Sequence, residues 1–244
     1  MERKLAESLS VDCVLFGFDM EKLNVLLVDR VLKDDNDTII FSDLTLTGYH
    51  IYKDEDLNSA AARIVKDITG LEGLVLEQFH TFGSLTRLQR PNDQLWSKQL
   101  GDAISDRVVS VGYYSLLPNT DIEIIQKGRI VNWHPVSSVK NLAYDHEQIL
   151  KKALGHLRYK LQTEPIGFEL LPDKFTLTQM QTLYETIIGV KFDKRNFRKK
   201  ISQMNYVVAL NEKQTGVAHK PAQLFMFSRE VYEKTRKERF SFFT

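Results

Sequence analysis

The segment Asp193-Lys-Arg-Asn-Phe-Arg-Lys-Lys-Ile-Ser-Gln-Met204 spaces its cationic and amide side chains as a nucleic-acid reader would. Phe197, Ile201 and Met204 follow the i, i+4, i+7 period of a helix and form its buried stripe. Lys194, Arg195, Arg198 and Lys199 then face outward, with Asn196 beside them near the helix start. Such side chains neutralise phosphates, and Arg and Asn can each make paired hydrogen bonds to a guanine or adenine edge. A second basic group, Lys213, His219 and Lys220, lies in the polar loop from 211 to 221. Taken alone, a basic helix is more often a solvated face than a DNA reader.

The elements around that helix reverse the odds. Thr176 or Thr178 caps a preceding helix that Gly189 closes, and the strands Tyr206–Leu210 and Gln223–Phe227 bracket the loop. Helix, helix, hairpin is the order of a winged helix. Charge is segregated to match. Residues 1–150 hold 15 basic and 23 acidic side chains, a net of −8, whereas residues 151–244 hold 18 and 9, a net of +9. The overall +1 conceals this asymmetry, which is expected when one half meets a polyanion.

The first half reads differently. Val11–Phe18 and Leu23–Val28 are strands about a turn at Asp19–Lys22, Thr38–Phe41 is a third, and Leu74–Phe82 and Val108–Leu117 flank a polar insert. Between them Leu57, Ala60, Ala61, Ile64, Val65 and Ile68 recur at helical spacing up to Gly70, with Asn58 and Ser59 near the start. Strands without regular alternation with helices predict a mixed sheet in an α+β fold. A helix with one apolar side, Asp145–Leu161, joins the halves. The single cysteine, Cys13, rules out an intramolecular disulfide framework, and no apolar run reaches the length of a membrane span. A cytoplasmic protein is expected.

Phe175-Thr-Leu-Thr-Gln-Met-Gln-Thr-Leu-Tyr-Glu, Asp193-Lys-Arg-Asn-Phe-Arg-Lys-Lys and His219-Lys-Pro-Ala-Gln-Leu-Phe resemble the winged helix of NrtR-like, Nudix-related transcriptional regulators, although family members carry Gly-Arg-Pro-Ala where this chain has His219-Lys-Pro-Ala. The stretches from Glu77, Asp106 and Leu142 resemble the same family. Its Nudix box, G-x5-E-x7-R-E-U-x-E-E-x-G-U, aligns on Gly70 so that Glu55, Arg63, Val65 and Leu71 match. The three carboxylate positions of R-E-U-x-E-E become Ile64, Asp67 and Ile68, and the opening glycine becomes Tyr49, just after Gly48. One carboxylate cannot supply the oxygen-rich shell that Mg²⁺ requires, so neither metal nor hydrolysis is expected, and no cofactor is implied.

The resemblance implies a Nudix-like effector-binding domain over 1–150 and a winged-helix DNA-binding domain over 151–244. It runs closest to the sugar-responsive branch that includes arabinose regulators (AraR). A sugar needs carboxylate, amide and hydroxyl partners beside an aromatic face, which Asp12, Asp43, Thr45, Gln94, Trp96 and Tyr113 could provide. His134 and His146 are too isolated to suggest a metal site. The expectation is a homodimeric repressor on an inverted-repeat operator, released by a sugar such as L-arabinose, with the Asp145–Leu161 helix transmitting the change. The alternative is a divergent Mg²⁺-dependent hydrolase of ADP-ribose-like substrates that uses Glu55 and Asp67.

Overall fold

The computed structural model describes residues 8–99, 107–118, 129–218 and 220–240, so His219 lies outside the described residues. Strands β1 (Ser8–Phe18) and β2 (Leu23–Lys33) form the opening hairpin. Asp19 closes it by accepting from the Glu21 and Lys22 amides at 2.9 and 2.7 Å. β3 (Ile39–Thr45) continues past the apolar run that ends at Phe41, because Arg30 on β2 pairs in register with Asp43. The short β4 (Thr47–His50) crosses to β1 and sets Gly48 opposite Asp12.

Helix α1 (Leu57–Thr69) buries Ala60, Ala61, Ile64, Val65 and Ile68. Asp56, rather than Asn58 or Ser59, caps it by accepting from the Ser59 amide at 2.8 Å, and Gly70 ends it at φ 77°. β5 (Glu77–Phe82) starts later than the apolar pattern from Leu74 predicts, since Val75 is exposed. The polar insert contains a helix, α2 (Pro91–Gln99). β6 (Val108–Leu117) runs parallel to β1, and β7 (Val131–Pro135) pairs with β2. The sheet, ordered β3-β2-β1-β6-β5 with β4 added to β1 and β7 to β2, is mixed as the pattern predicts.

Helix α3 (His146–Thr163) crosses position 150 without a break and leads through a 3-10 turn (Ile166–Leu170) into α4 (Leu177–Ile188). Thr176 and Gln179 form a reciprocal capping box at the start of α4. Next come α5 (Lys194–Ile201), β8 (Val207–Lys213), β9 (Gln223–Phe227) and α6 (Arg229–Phe240). Phe175 forms an isolated antiparallel bridge to Phe225 on β9. No periodicity announced α6; its Tyr232 packs edge-on against Tyr206.

Two apolar cores flank the sheet. One lies between α1 and the sheet and holds Cys13, Leu26, Ile64, Ile68 and Tyr113. The other begins with Val14, Phe16 and Val25, passes along Ile149, Ala153 and Leu157 of α3, and reaches Leu183, Phe197 and Ile201 of α4 and α5. Sheet, connecting helix and DNA-reading candidate therefore share one continuous packed interior.

Candidate functional sites

On α5 the amphipathic period holds. Phe197 and Ile201 are buried, Asp193 caps the helix from the Asn196 amide at 2.8 Å, and Lys194, Arg195, Asn196, Arg198 and Lys199 are exposed. Met204 lies just beyond the helix end but still packs against the same core. No ion pair among the described residues engages those four cations, so their charge faces solvent. Lys213 ends β8 and Lys220 precedes β9, both exposed, on the hairpin beside α5.

The box on α1 has changed its chemistry. Arg63 grips Glu55 through Nε and Nη2 at 2.8 and 2.5 Å and stacks 4.2 Å from the Tyr52 ring. The Tyr52 amide adds a third bond to Glu55, at 2.8 Å. The Arg63 hydrogen bonds foremost, then this amide, hold the Glu55 carboxyl down to about 2 against the cost of desolvating it. Both Glu55 oxygens are thus committed. Ile64 and Ile68 are buried in the core, and Asp67 is exposed, 3.8 Å from Arg63. These residues do not fit a divalent cation, and no group of three His, Cys, Asp or Glu among the described residues could hold one.

The polar chemistry of the N-terminal half lies elsewhere. Asp12 is buried in the middle of β1, between Gly48 on β4 and Gly112 on β6. A Cβ at Gly48 would come within 2.0 Å of Asp12 Oδ1, so only glycine leaves room for the carboxylate. Asp12 accepts from the Ser110 hydroxyl and faces Arg87 Nη2 at 3.5 Å and His146 Nε2 at 3.3 Å. The Leu46 amide donates to His146 Nδ1 at 3.0 Å, which leaves the ring proton on Nε2, facing Asp12. Burial opposes ionisation of Asp12, yet His146, Arg87 and Ser110 together hold it well below the usual carboxylate range. Burial of the adjacent Cys13, and after it the charge of Asp12, pushes the Cys13 thiol up, so that thiol stays protonated.

Beside it stands a second buried arginine. Arg30 meets Asp43 edge-on through Nε and Nη2 at 2.7 and 2.6 Å, and Asp93 of α2 at 2.7 Å. Phe41, Trp96 and Tyr144 present their rings 5.3, 5.5 and 4.6 Å from its guanidinium. Tyr144, Asp145 and His146 connect the two arginines: the Tyr144 amide donates to Asp93, Asp145 accepts from Arg87 at 2.9 Å, and His146 faces Asp12.

Of the sequence-derived ligand residues, Asp12, Asp43, Thr45 and Trp96 converge here, Thr45 Oγ1 lying 2.8 Å from His146 Nδ1. Gln94 is on the exposed side of α2 next to Asp93. Tyr113 is not part of the cluster. It points through the other face of the sheet and donates to Asn58 at 2.8 Å. Arg30, Arg87, Asp93 and Tyr144 join the cluster from outside the sequence-derived set, and Asp145 was legible only as the start of the connecting helix. Arg30 alone carried a signal, a charge inside an otherwise apolar strand, while the contacts of Arg87 and Asp93 come from the insert, whose course no pattern gives.

Residues 167–227 match the family described as the NrtR DNA-binding winged helix domain. That segment folds as a winged helix. Across 92% of the chain the protein is 26% identical to a curated relative from Acinetobacter baylyi, named ADPR responsive transcriptional repressor NtrR, covering 84% of that relative. The crystal structure of Shewanella oneidensis NrtR superposes with a TM-score of 0.62 at 25% identity, over 90% of this chain and 94% of that one. The same regulator complexed with a 27mer DNA gives 0.63 at 23% identity, over 92% and 95%. A MutT/nudix family protein from Enterococcus faecalis gives 0.62 at 22%, over 92% and 89%. Over most of its length the chain thus shares the fold of these structures: a Nudix-like mixed sheet with packed helices, followed by a winged helix.

Proposed function

We propose that this NrtR-like chain is a transcriptional repressor that binds operator DNA through α5 and the β8–β9 wing, in response to a small molecule held by its non-hydrolytic Nudix-like unit. The observation that carries the reading is the unpaired cationic face of α5 on a winged helix. The division into an effector-binding unit over 1–150 and a DNA-binding unit over 151–244 follows the charge asymmetry. Two copies on an inverted repeat are the natural arrangement for a winged-helix reader. No described helix is long and apolar enough to cross a membrane, in keeping with a cytoplasmic regulator.

Its effector has two candidate chemistries. The name of the Acinetobacter baylyi relative supports ADP-ribose. A free sugar such as L-arabinose is favoured by the buried cluster itself, where Asp12, Asp43, Asp93 and Asp145 outnumber Arg30 and Arg87. Surplus carboxylates accept from sugar hydroxyls and repel a diphosphate. Fluorescence anisotropy on a duplex from the chain's own upstream region, with ADP-ribose or L-arabinose added, tests the reading. Salt-sensitive binding that one of them weakens supports it. Absence of binding, with Mg²⁺-dependent cleavage of ADP-ribose abolished in Glu55→Gln, supports a hydrolase instead.

A further inference from the structure

Helices α1, α4 and α5 each begin with a side chain that bonds the first turn: Asp56, Thr176 and Asp193. Helix α3 begins with Asp145, a residue equally suited to the task, yet Asp145 makes no capping bond and its backbone sits at φ −97°, ψ 19°. Its Oδ1 is turned instead to Arg87 Nη2 at 2.9 Å. Tyr144, immediately before it, is held at φ 53°, a left-handed conformation that a bulky side chain adopts only when its surroundings impose it. The chain is thus constrained just where the connecting helix starts.

Arg87 also differs from its neighbour in one detail. The Nε/Nη2 edge of Arg30 is closed by both oxygens of Asp43. On Arg87 the same edge is half used: Nη2 serves Asp145 and Asp12, whereas Nε is buried without a partner. A buried donor of this kind calls for an acceptor. A ligand presenting two adjacent oxygens, as a vicinal diol or a phosphate does, fills the Nε position and competes with Asp145 for Nη2.

We infer that Arg87 is an effector-binding residue for a two-oxygen ligand group, and that its occupation releases Asp145 to cap α3. The inference rests on reading the N-terminal unit as effector-binding. Helix α3 carries the change onward through Arg158, which donates to the Ile187 carbonyl at the end of α4 at 2.6 Å, and through the core it shares with α4 and α5.

Calorimetric titration of the full chain with ADP-ribose and with L-arabinose, combined with amide hydrogen exchange across residues 146–150, tests it. Lysine keeps the charge of Arg87 but not the fork, so Arg87→Lys is expected to weaken whichever probe binds by about tenfold or more. The same variant slows exchange in the first turn of α3 by about fivefold, because Asp145 is freed to cap. In Asp145→Asn, the change in operator affinity on adding the probe falls below about twofold. Wild-type probe affinity together with wild-type exchange in Arg87→Lys overturns the proposal. Should neither probe bind the wild-type chain, the effector reading fails and the exchange measurement alone decides whether Arg87 restrains Asp145.

Discussion

Charges gather twice in this chain, and the two gatherings are built on opposite plans. In the Nudix-like half, Arg30, Arg87, Asp12, Asp43, Asp93 and Asp145 are withdrawn from water and bonded to one another and to His146 and Ser110. On α5, Lys194, Arg195, Arg198 and Lys199 stand in solvent and form no ion pair among the described residues. A buried charge is stable only with partners, so the first cluster belongs to the fold as much as to any ligand. An exposed charge costs the fold almost nothing and remains free to displace counterions from a phosphate backbone. Stability should therefore follow the first group and DNA affinity the second.

The largest expected effect attacks the buried side. Asp12→Ala leaves Arg87 and His146 facing a void, which costs about 3–5 kcal/mol, whereas Arg198→Ala changes stability by less than about 0.5 kcal/mol. Urea denaturation of both variants measures the difference, and equal losses would break the contrast. Next, Arg195→Ala and Arg198→Ala each weaken operator binding by about 1–3 kcal/mol in a gel-shift titration while ligand affinity is kept. Unchanged operator affinity would remove α5 from the interface. A smaller effect comes from acid. The folded-state acidity of Asp12 exceeds its unfolded value, so its contribution is complete above about pH 4 and is lost as pH falls below that towards its folded pKa. Asp12→Asn should flatten the acid limb of a melting-temperature profile, and an unaltered limb would contradict the pairing. Least of all should Mg²⁺ matter: millimolar additions leave the melting temperature of wild type and of Glu55→Gln alike, and a shift seen only in wild type would restore a cation to α1.

What was readable in advance follows from where each signal resides. The stripes of α1 and α5, the Thr176 cap and Gly189 stop of α4, and the loss of two acidic box positions to Ile64 and Ile68 are local features, recoverable from spacing alone. Asp12 stood out as a carboxylate inside an apolar strand, and Asp43 and Thr45 by their position before the box. Tyr113 looked like an equal candidate, but strand alternation sends it through the opposite face of the sheet from Asp12. His146 looked isolated because its partners, Thr45, Leu46 and Asp12, lie about a hundred residues or more away along the chain.

The amino-acid order by itself determined a mixed sheet followed by a winged helix, the polarity of the two halves and the isoleucines at two acidic box positions, because periodicity, capping and side-chain chemistry act within a few residues. Only the folded chain decided that Arg87 and Asp93 of the insert meet Asp12, Arg30 and the start of α3. Those contacts depend on how the insert packs over the sheet, a balance of many weak long-range terms that no local pattern encodes.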